Sequence, residues 1–394
     1  MKKNIKNVLL FDIVPGNSIN ENEINAQYLG EKPWFNKSIK GYEYDVDDLD
    51  IEFLNDNFDE ISRRLISQGW TKDNIHSIVA GSEAAVEASA RLREKFNVNG
   101  LNTKDVRYFR NKKLMYDVAC RCHSIPPIPT IYASELSIDH LEQPDFKSNE
   151  YISKPSDGCG SVDVERLTLN DLIKRIDTYD NDDRTIIQPY ISGTVLHIDG
   201  IILDSQISFV PFEYLQPPSN WRSGNDFYAS VITDNLDKNK VKDFILEYYN
   251  AIGVSKGIFH LELIRDDYGN LHFLEIGSRP GGGPIVDTIS RAIGRDYKDV
   301  LIEFEYKDTF SYLEYDSHIG WIVLPNSIGS PNDLYNVLNS YIDDPQVEIL
   351  IKDHTTSSHI PNWHPTALGR FFVSTNSLIT AKEKMFDICR AAYS

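Results

Sequence analysis

Residues 257–296, GIFHLELIRDDYGNLHFLEIGSRPGGGPIVDTISRAIGRD, confine the chain to few folds. Leu261 and Leu263 alternate with polar residues, Asp266 to Asn270 carry turn chemistry, and Leu271 to Ile276 return as an apolar run. Period-two alternation broken by such a turn predicts a β-hairpin. Each strand then holds one carboxylate, Glu262 on the first and Glu275, pointing inward, on the second. Two carboxylates on adjacent strands offer oxygen ligands from a rigid support, which suits Mg²⁺ bridging phosphate oxygens. Four residues further on, Arg279 is fixed by Pro280 and released into Gly281, Gly282 and Gly283. There the backbone can approach a ligand while the planar guanidinium meets phosphate or carboxylate.

A nucleoside triphosphate needs fixed cations, all the more in a chain of 394 residues with a net charge of −19. Lys112 and Lys154 are the candidates. Lys154 ends a strand in EYISKPSDGCGSVDVERL and precedes a loop with Gly158, Gly160 and Ser161. Backbone N–H groups of such a loop can close over phosphates. It is no Walker loop, because no Gly-x-x-x-x-Gly-Lys-Ser/Thr run occurs. The acidic balance argues against nucleic acid and anionic membranes as partners, since both need a positive footprint. No stretch approaches the roughly 20 apolar residues that span a bilayer. The opening MKKNIKNVLLFDIVPG reads as a first strand and not a signal peptide, its apolar run being cut by Asp12. Four cysteines, at 120, 122, 159 and 389, make no disulfide framework and point to a reducing cytoplasm. Cys120 and Cys122 read as packing on a helix.

A strand at 5–14, an amphipathic helix at 52–68, a strand at 75–80 and a helix from Gly81 through Glu94 predict a small open α/β sheet with mostly parallel strands. Ser82 reads as the cap of that last helix in preference to an anion site. Residues 21–49 are acidic and weakly periodic, as in a solvated insertion. NGLNTKD at 99–105 is a polar junction, so the expected domains are 1–104, 105–299, and a segment 300–394 that completes the second with strands such as GWIVLP and a final helix from Thr380 to Ala392. TIIQPYISGTVLHIDGIIL reads as a buried strand, a hinge at Pro189, a turn at Gly193 and a further strand, in which Asp199 is structural. His260 shares a strand face with Glu262, where it can donate to phosphate or orient an acyl group. Residues 211–228 read as a substrate-facing loop with Trp221 and Arg222. His354, His359 and His364 fit no common metal spacing.

Taken together, the paired glutamates and the following arginine resemble the ATP-grasp superfamily. Within it, "HLE" and "LEIGSRPGGG" look most like the carboxylate–amine ligases that join amino acids into dipeptides. The resemblance implies an α/β fold, α+β in the nucleotide domain, with a Rossmann-like N-terminal domain that includes a "GSE" turn, a two-lobed nucleotide clamp and a strand-rich C-terminal segment. The family's R-D-K-x-x-M helix stands here as Arg110-Asn111-Lys112-Lys113-Leu114-Met115. By the same resemblance, Lys112 (or Lys113 in its place) and Lys154 contact the α- and β-phosphates, and Gly158, Gly160 and Ser161 belong to the closing loop. Gln188, Pro189, Tyr190 and Ile191 offer backbone to adenine, Glu262 and Glu275 hold Mg²⁺, with Mn²⁺ as the alternative ion, and Arg279 is catalytic; His260 joins it as a catalytic candidate from its strand face alone, the alternative being a packed histidine with its hydrogen bonds satisfied. Two departures stand out: Gly277 replaces an Asn that is often a further metal ligand, and Val195 an acidic residue that commonly meets ribose. The implied reaction consumes ATP, a small carboxylic or amino acid and an amine, and yields an amide through an acyl phosphate. A homodimer and a setting in peptide-like secondary metabolism are common among such enzymes. The alternatives are other ATP-grasp chemistry, carboxylation or nucleotide-precursor synthesis, and a nucleotide-binding protein without turnover.

Overall fold

The computed structural model describes residues 5–16, 19, 23–29, 57–179, 181–222, 226–315, 318–325, 340–351 and 367–393. His354, His359 and His364 lie outside these residues, as do the side chains of Trp221 and Arg222.

Strands β1 (Lys6–Phe11), β2 (Ile24–Leu29) and β3 (Ile75–Ala80) form a parallel sheet in the order β2-β1-β3. Parallel strands covered on both faces read as continuous apolar runs, and Val8, Leu9, Leu10 and Phe11 are all buried. Leu9 and Phe11 pack on the helices Phe58–Ser67 and Glu83–Phe96, while Val8 and Leu10 pack towards the helices Ile285–Ile293 and Tyr297–Lys307. β2 corrects the reading of 21–49 as a solvated insertion. Ile24, Tyr28 and Leu29 are enough to bury an edge strand once β1 supplies its hydrogen bonds; residues 30–56 lie outside the described chain.

A second sheet, antiparallel throughout, is built from β4 (Ile131–Tyr132), β5 (Glu150–Pro155), β6 (Glu165–Thr168) and β7 (Thr185–Pro189) in the order β4-β7-β5-β6. The third contains β8 (Gly193–Leu203), β9 (Gln206–Tyr214), β10 (Tyr228–Ile232), β11 (Lys256–Asp266), β12 (Leu271–Gly277), β13 (His318–Pro325), β14 (Val347–Ile351) and β15 (Ala367–Thr375). Its order is β12-β11-β8-β9-β10-β13-β15-β14, so strands of the C-terminal segment extend the sheet begun by the central one. The boundary expected between 299 and 300 falls inside the helix Tyr297–Lys307, whose buried Val300, Leu301 and Ile302 anchor it as one unit. Pro211–Tyr214 belong to β9, which shortens the loop read at 211–228. Cys120 caps the end of the helix Lys112–Ala119 and Cys122 lies beyond it, because the helix ends at Ala119; all four cysteines are free.

Alternation divides the faces of the third sheet. Leu196, Ile198, Phe259, Leu261 and Leu263 point into a core shared with the helices Lys112–Ala119 and Lys238–Ile252. The residues between them, among them His197, Asp199, His260 and Glu262, turn to the opposite face. Among the described residues no helix is long and apolar enough to cross a membrane.

Candidate active site

A cleft of about 580 Å³ lies between the second and third sheets. Lys112, Lys154, Gly158, Gly160, Ser161, Gln188, Pro189, Tyr190, Ile191, His260, Glu262, Glu275 and Arg279 all line it. Glu262 and Glu275 stand opposite each other in the β11/β12 register, which breaks directly after Glu262. The Glu275 carboxylate is 3.6 Å from Lys112 Nζ and 3.9 Å from Lys154 Nζ. Burial alone would raise its pKa, but the two ammonium groups outweigh burial and hold the carboxyl below its usual range. Burial pushes Lys154 down to about 8 against the pull of Glu275, with Lys112 adding to the fall.

Lys112 opens its helix behind Asn111, whose Oδ1 caps it by accepting from Leu114 N at 3.0 Å. Lys112 donates its backbone N–H to Ser156 O at 2.7 Å and its ammonium to Gly158 O. Arg110 donates to Asp157 O at 2.8 Å. Basic side chains thus tether the glycine loop through its carbonyls. Lys112 lines the cleft and Lys113 does not: successive helical residues point about 100° apart, and Lys113 pairs one turn on with Asp117 at 2.7 Å. At the hinge, Tyr190 gives its N–H to Glu150 O at 2.9 Å, and the Gln188 side chain donates to Thr130 Oγ1 at 2.8 Å. Tyr190's donor is therefore spent on the sheet, and Ile191, the next residue, lines the cleft.

Asp199, wholly buried, joins three elements. Its carboxylate meets His260 Nδ1 at 3.1 Å and His197 Nδ1 at 3.1 Å, and accepts from Gly281 N at 2.6 Å. Burial disfavours charge on His260, but Asp199 outweighs it and raises the pKa to about 10. Asp199 therefore favours the imidazolium form of His260, whose Nε2 stands 3.5 Å from Glu262 Oε1. Burial pushes His197 the other way, and its Nε2 meets Ser230 Oγ at 2.8 Å. These three residues are grouped like metal ligands, yet their facing atoms are engaged with one another. Gly281 must be glycine, since a Cβ there would stand 2.7 Å from Asp199 Oδ1 and 2.9 Å from His260 Nδ1. Asp199 thereby fixes the start of the glycine run beside Arg279.

Glu83 was not singled out in the sequence, although the "GSE" turn carried it. Ser82 caps the helix Glu83–Phe96 through Ala85 N at 3.4 Å, leaving Glu83 in the first turn. There it accepts from Arg279 Nε at 2.5 Å and from Arg110, while Arg279 Nη1 donates to Pro280 O at 2.7 Å. Burial would raise the Glu83 pKa, but Arg279 and Arg110 hold it at about 2, against an ordinary 4.5. A depressed folded pKa means stability fully present above pH 4.5 and lost as pH falls towards 2. Glu83→Gln is expected to cost up to about 3 kcal/mol at pH 7, with the gap to wild type closing between those pH values. Urea unfolding at a series of pH values checks this; a gap independent of pH would remove the ion pair from the account.

The donor set fits a hard divalent cation: two carboxylates on neighbouring strands, one already held ionised by buried lysines. Gly277 is not forced by crowding, because a Cβ there meets nothing nearer than 3.7 Å. Val195 lines the cleft as an apolar residue.

Residues 111–283 match the sequence model of the ATP-grasp domain. No curated protein sequence matches the chain. Among solved structures, the L-amino acid ligase from Bacillus licheniformis superposes with a TM-score of 0.70 at 14% identity, covering 98% of this chain and 98% of that one. The N5-carboxyaminoimidazole synthetase from Staphylococcus aureus complexed with ADP gives 0.70 at 14% identity, over 100% and 99%. The biotin carboxylase domain dimer of the Hydrogenobacter thermophilus 2-oxoglutarate carboxylase, in complex with MgADP, ADP and bicarbonate, gives 0.66 at 13% identity, over 97% and 89%. The chain has the ATP-grasp fold.

Proposed function

We propose that this ATP-grasp protein is an ATP-dependent carboxylate–amine ligase, which joins an amino acid or other small carboxylic acid to an amine through an acyl phosphate. The observation that carries the reading is the convergence of Lys112 and Lys154 on Glu275, with Glu262 opposite it, in the cleft that Arg279 also lines. Lys112 and Lys154 supply the positive charge that an acidic protein needs to hold a triphosphate. The hinge from Gln188 to Ile191 borders the adenine end, with Ile191 rather than Tyr190 as the amide donor. The carboxylate substrate attacks the γ-phosphate, ADP leaves, and the amine then displaces phosphate from the acyl phosphate to leave an amide. Glu262 and Glu275 would hold Mg²⁺, or Mn²⁺, which when bound neutralises charge on the transferring phosphoryl group. Arg279, its direction set by Glu83, stabilises the acyl-phosphate oxygens and the oxyanion formed on amine attack. His260, whose imidazolium form Asp199 favours, brings positive charge beside Glu262. The loop from 157 to 161, tethered by Arg110 and Lys112, shields the acyl phosphate from water. A reducing cytoplasm and a homodimer belong to the same reading.

The test is ADP release by the purified chain with Mg-ATP against all pairs of proteinogenic amino acids, with mass spectrometry of positive wells. A pair-dependent signal with a product one water lighter than its substrates supports the ligase. ADP release that instead requires bicarbonate, or none at all despite measured ATP binding, moves the chain to carboxylation or to nucleotide binding without turnover. The space at Gly277 gives a further expected result. Gly277→Asn should fold with a Tm within about 2 °C of wild type, as for substitutions that create no clash, and should lower the Mg²⁺ concentration at half-maximal rate. Unfolding of the variant, or an unchanged Mg²⁺ requirement, would count against the metal assignment.

A further inference from the structure

Past Glu262 the cleft continues along the third sheet onto β9, β10 and β13, where Tyr214, Tyr228 and Val323 line it. Pro217 and Pro218, just after β9, and Ile285, which packs in one cluster with Tyr214, Tyr228 and Val323, line it too. Strand register orders the tyrosines. Tyr228 is opposite Val323, and Tyr214 is opposite Ser230, two residues along β10 from Tyr228. Their rings stack with centroids 5.4 Å apart and 20° between planes, and their hydroxyls meet at 3.0 Å. The wholly buried Trp321 supports the pair, its ring edge-on to Tyr228 with centroids 4.7 Å apart. This part of the cleft is an aromatic and apolar wall on a packed foundation.

A phenol whose hydroxyl meets another phenol offers a ligand chiefly the carbon of its ring. Arg370 borders the same part but is 3% exposed and faces Asp287 at 3.5 Å, so little of its charge is open to the cleft. The wall also begins beside the reacting groups. Burial raises the Tyr228 pKa, the Tyr214 hydroxyl opposes the rise, and Glu262 and Arg279 act on it with opposite signs, which sets both charges within electrostatic reach of the ring. Glu262 acts on Tyr214 in the same way. An acid whose carboxylate lies between Glu262 and Arg279 therefore has this wall within reach of its side chain.

We propose that the carboxylic acid phosphorylated in this cleft carries an aromatic or comparably large apolar side chain, and that the stacked pair of Tyr214 and Tyr228 is the surface that selects it. The proposal rests on the ligase reading for the group that is phosphorylated, but not for the apolar wall. Burying a benzyl group where a methyl would leave the wall uncovered is worth about one to two powers of ten in affinity. A charged side chain would instead lose its water against two ring faces.

The test supplies hydroxylamine as the amine, with Mg-ATP and phenylalanine, leucine, alanine, aspartate or lysine as the acid. Nitrogen attack on an acyl phosphate forms the C–N bond as the C–O bond to phosphate breaks, so each turnover leaves one hydroxamate, one ADP and one phosphate. Wild type is expected to use phenylalanine or leucine with a kcat/KM at least about tenfold above alanine, and to use aspartate and lysine no better than alanine. Tyr228→Ala should raise KM for phenylalanine by about tenfold, with a smaller change in kcat, and bring its advantage over alanine to within about threefold. Equal use of all five acids, preference for a charged one, or an advantage of phenylalanine that survives Tyr228→Ala would overturn the selection. The ranking of acids on wild type needs no variant, so a misfolded Tyr228→Ala leaves the test intact. Titration calorimetry of the same acids on the full chain with ADP and Mg²⁺ separates the two readings. Tighter binding of phenylalanine than of alanine, with no hydroxamate from any acid, would sink the ligase reading and leave the apolar wall standing; binding of none, with no turnover, would sink both.

Discussion

Glu275→Ala is expected to lower ADP release by about 10³-fold, ~4 kcal/mol of barrier, while the chain stays folded. The side chain is one of two cross-strand carboxylates, and its oxygen is also the partner of Lys112 and Lys154. Alanine removes the oxygen ligand and leaves two ammonium groups facing each other. Triphosphate can take the place of the lost carboxylate between them, so ATP binding without Mg²⁺ should change by less than about tenfold. Glu275→Gln keeps shape and an oxygen but loses charge, and should fall between the two. Steady-state ADP release across a Mg²⁺ range, with circular dichroism for the fold, decides the matter. Wild-type rates in Glu275→Ala would remove the carboxylate from the chemistry.

Arg279→Ala should reduce kcat by about 10²–10³-fold and leave KM for ATP within about threefold, the signature of an interaction made in the transition state. It also takes one of two guanidinium partners from Glu83, so a stability loss accompanies it. Arg279→Lys separates the effects. Its charge still answers Glu83, but the planar fork is gone, and kcat should remain at least about tenfold down. An unchanged kcat in either variant would end the proposed role.

Glu83→Gln supplies the matching control from the other side of the ion pair. It leaves Arg279 in place but loosens its direction, so activity should fall less than in Arg279→Ala. The three variants together distinguish a guanidinium that acts on the substrate from one that only fastens the N-terminal domain to the cleft.

Local patterns made much of the cleft legible in the sequence. Alternation and turn chemistry fixed the β11/β12 hairpin, and with a period of two they also fixed which face carries Glu262 and Glu275. Lys154 was marked by its place between a strand and a glycine loop. β2 was hidden because six residues of mixed polarity become a strand only when β1 offers hydrogen bonds. Glu83 and Arg370 were hidden for a similar reason. Glu83 lies 196 positions before the arginine it holds, and Arg370 reaches the cleft only because β15 pairs with β13. Asp199 looked structural because a buried acid on a strand has no local signature of the His260 and Gly281 groups it binds. The sequence by itself determined the kinds of element and the carboxylates and cations they carry, since propensity and periodicity act over a few residues. The tertiary structure alone decided which of those charges meet, which lysine turns to the cleft, and where the cleft ends, because ion pairing and burial depend on distances set by strand order across the whole chain.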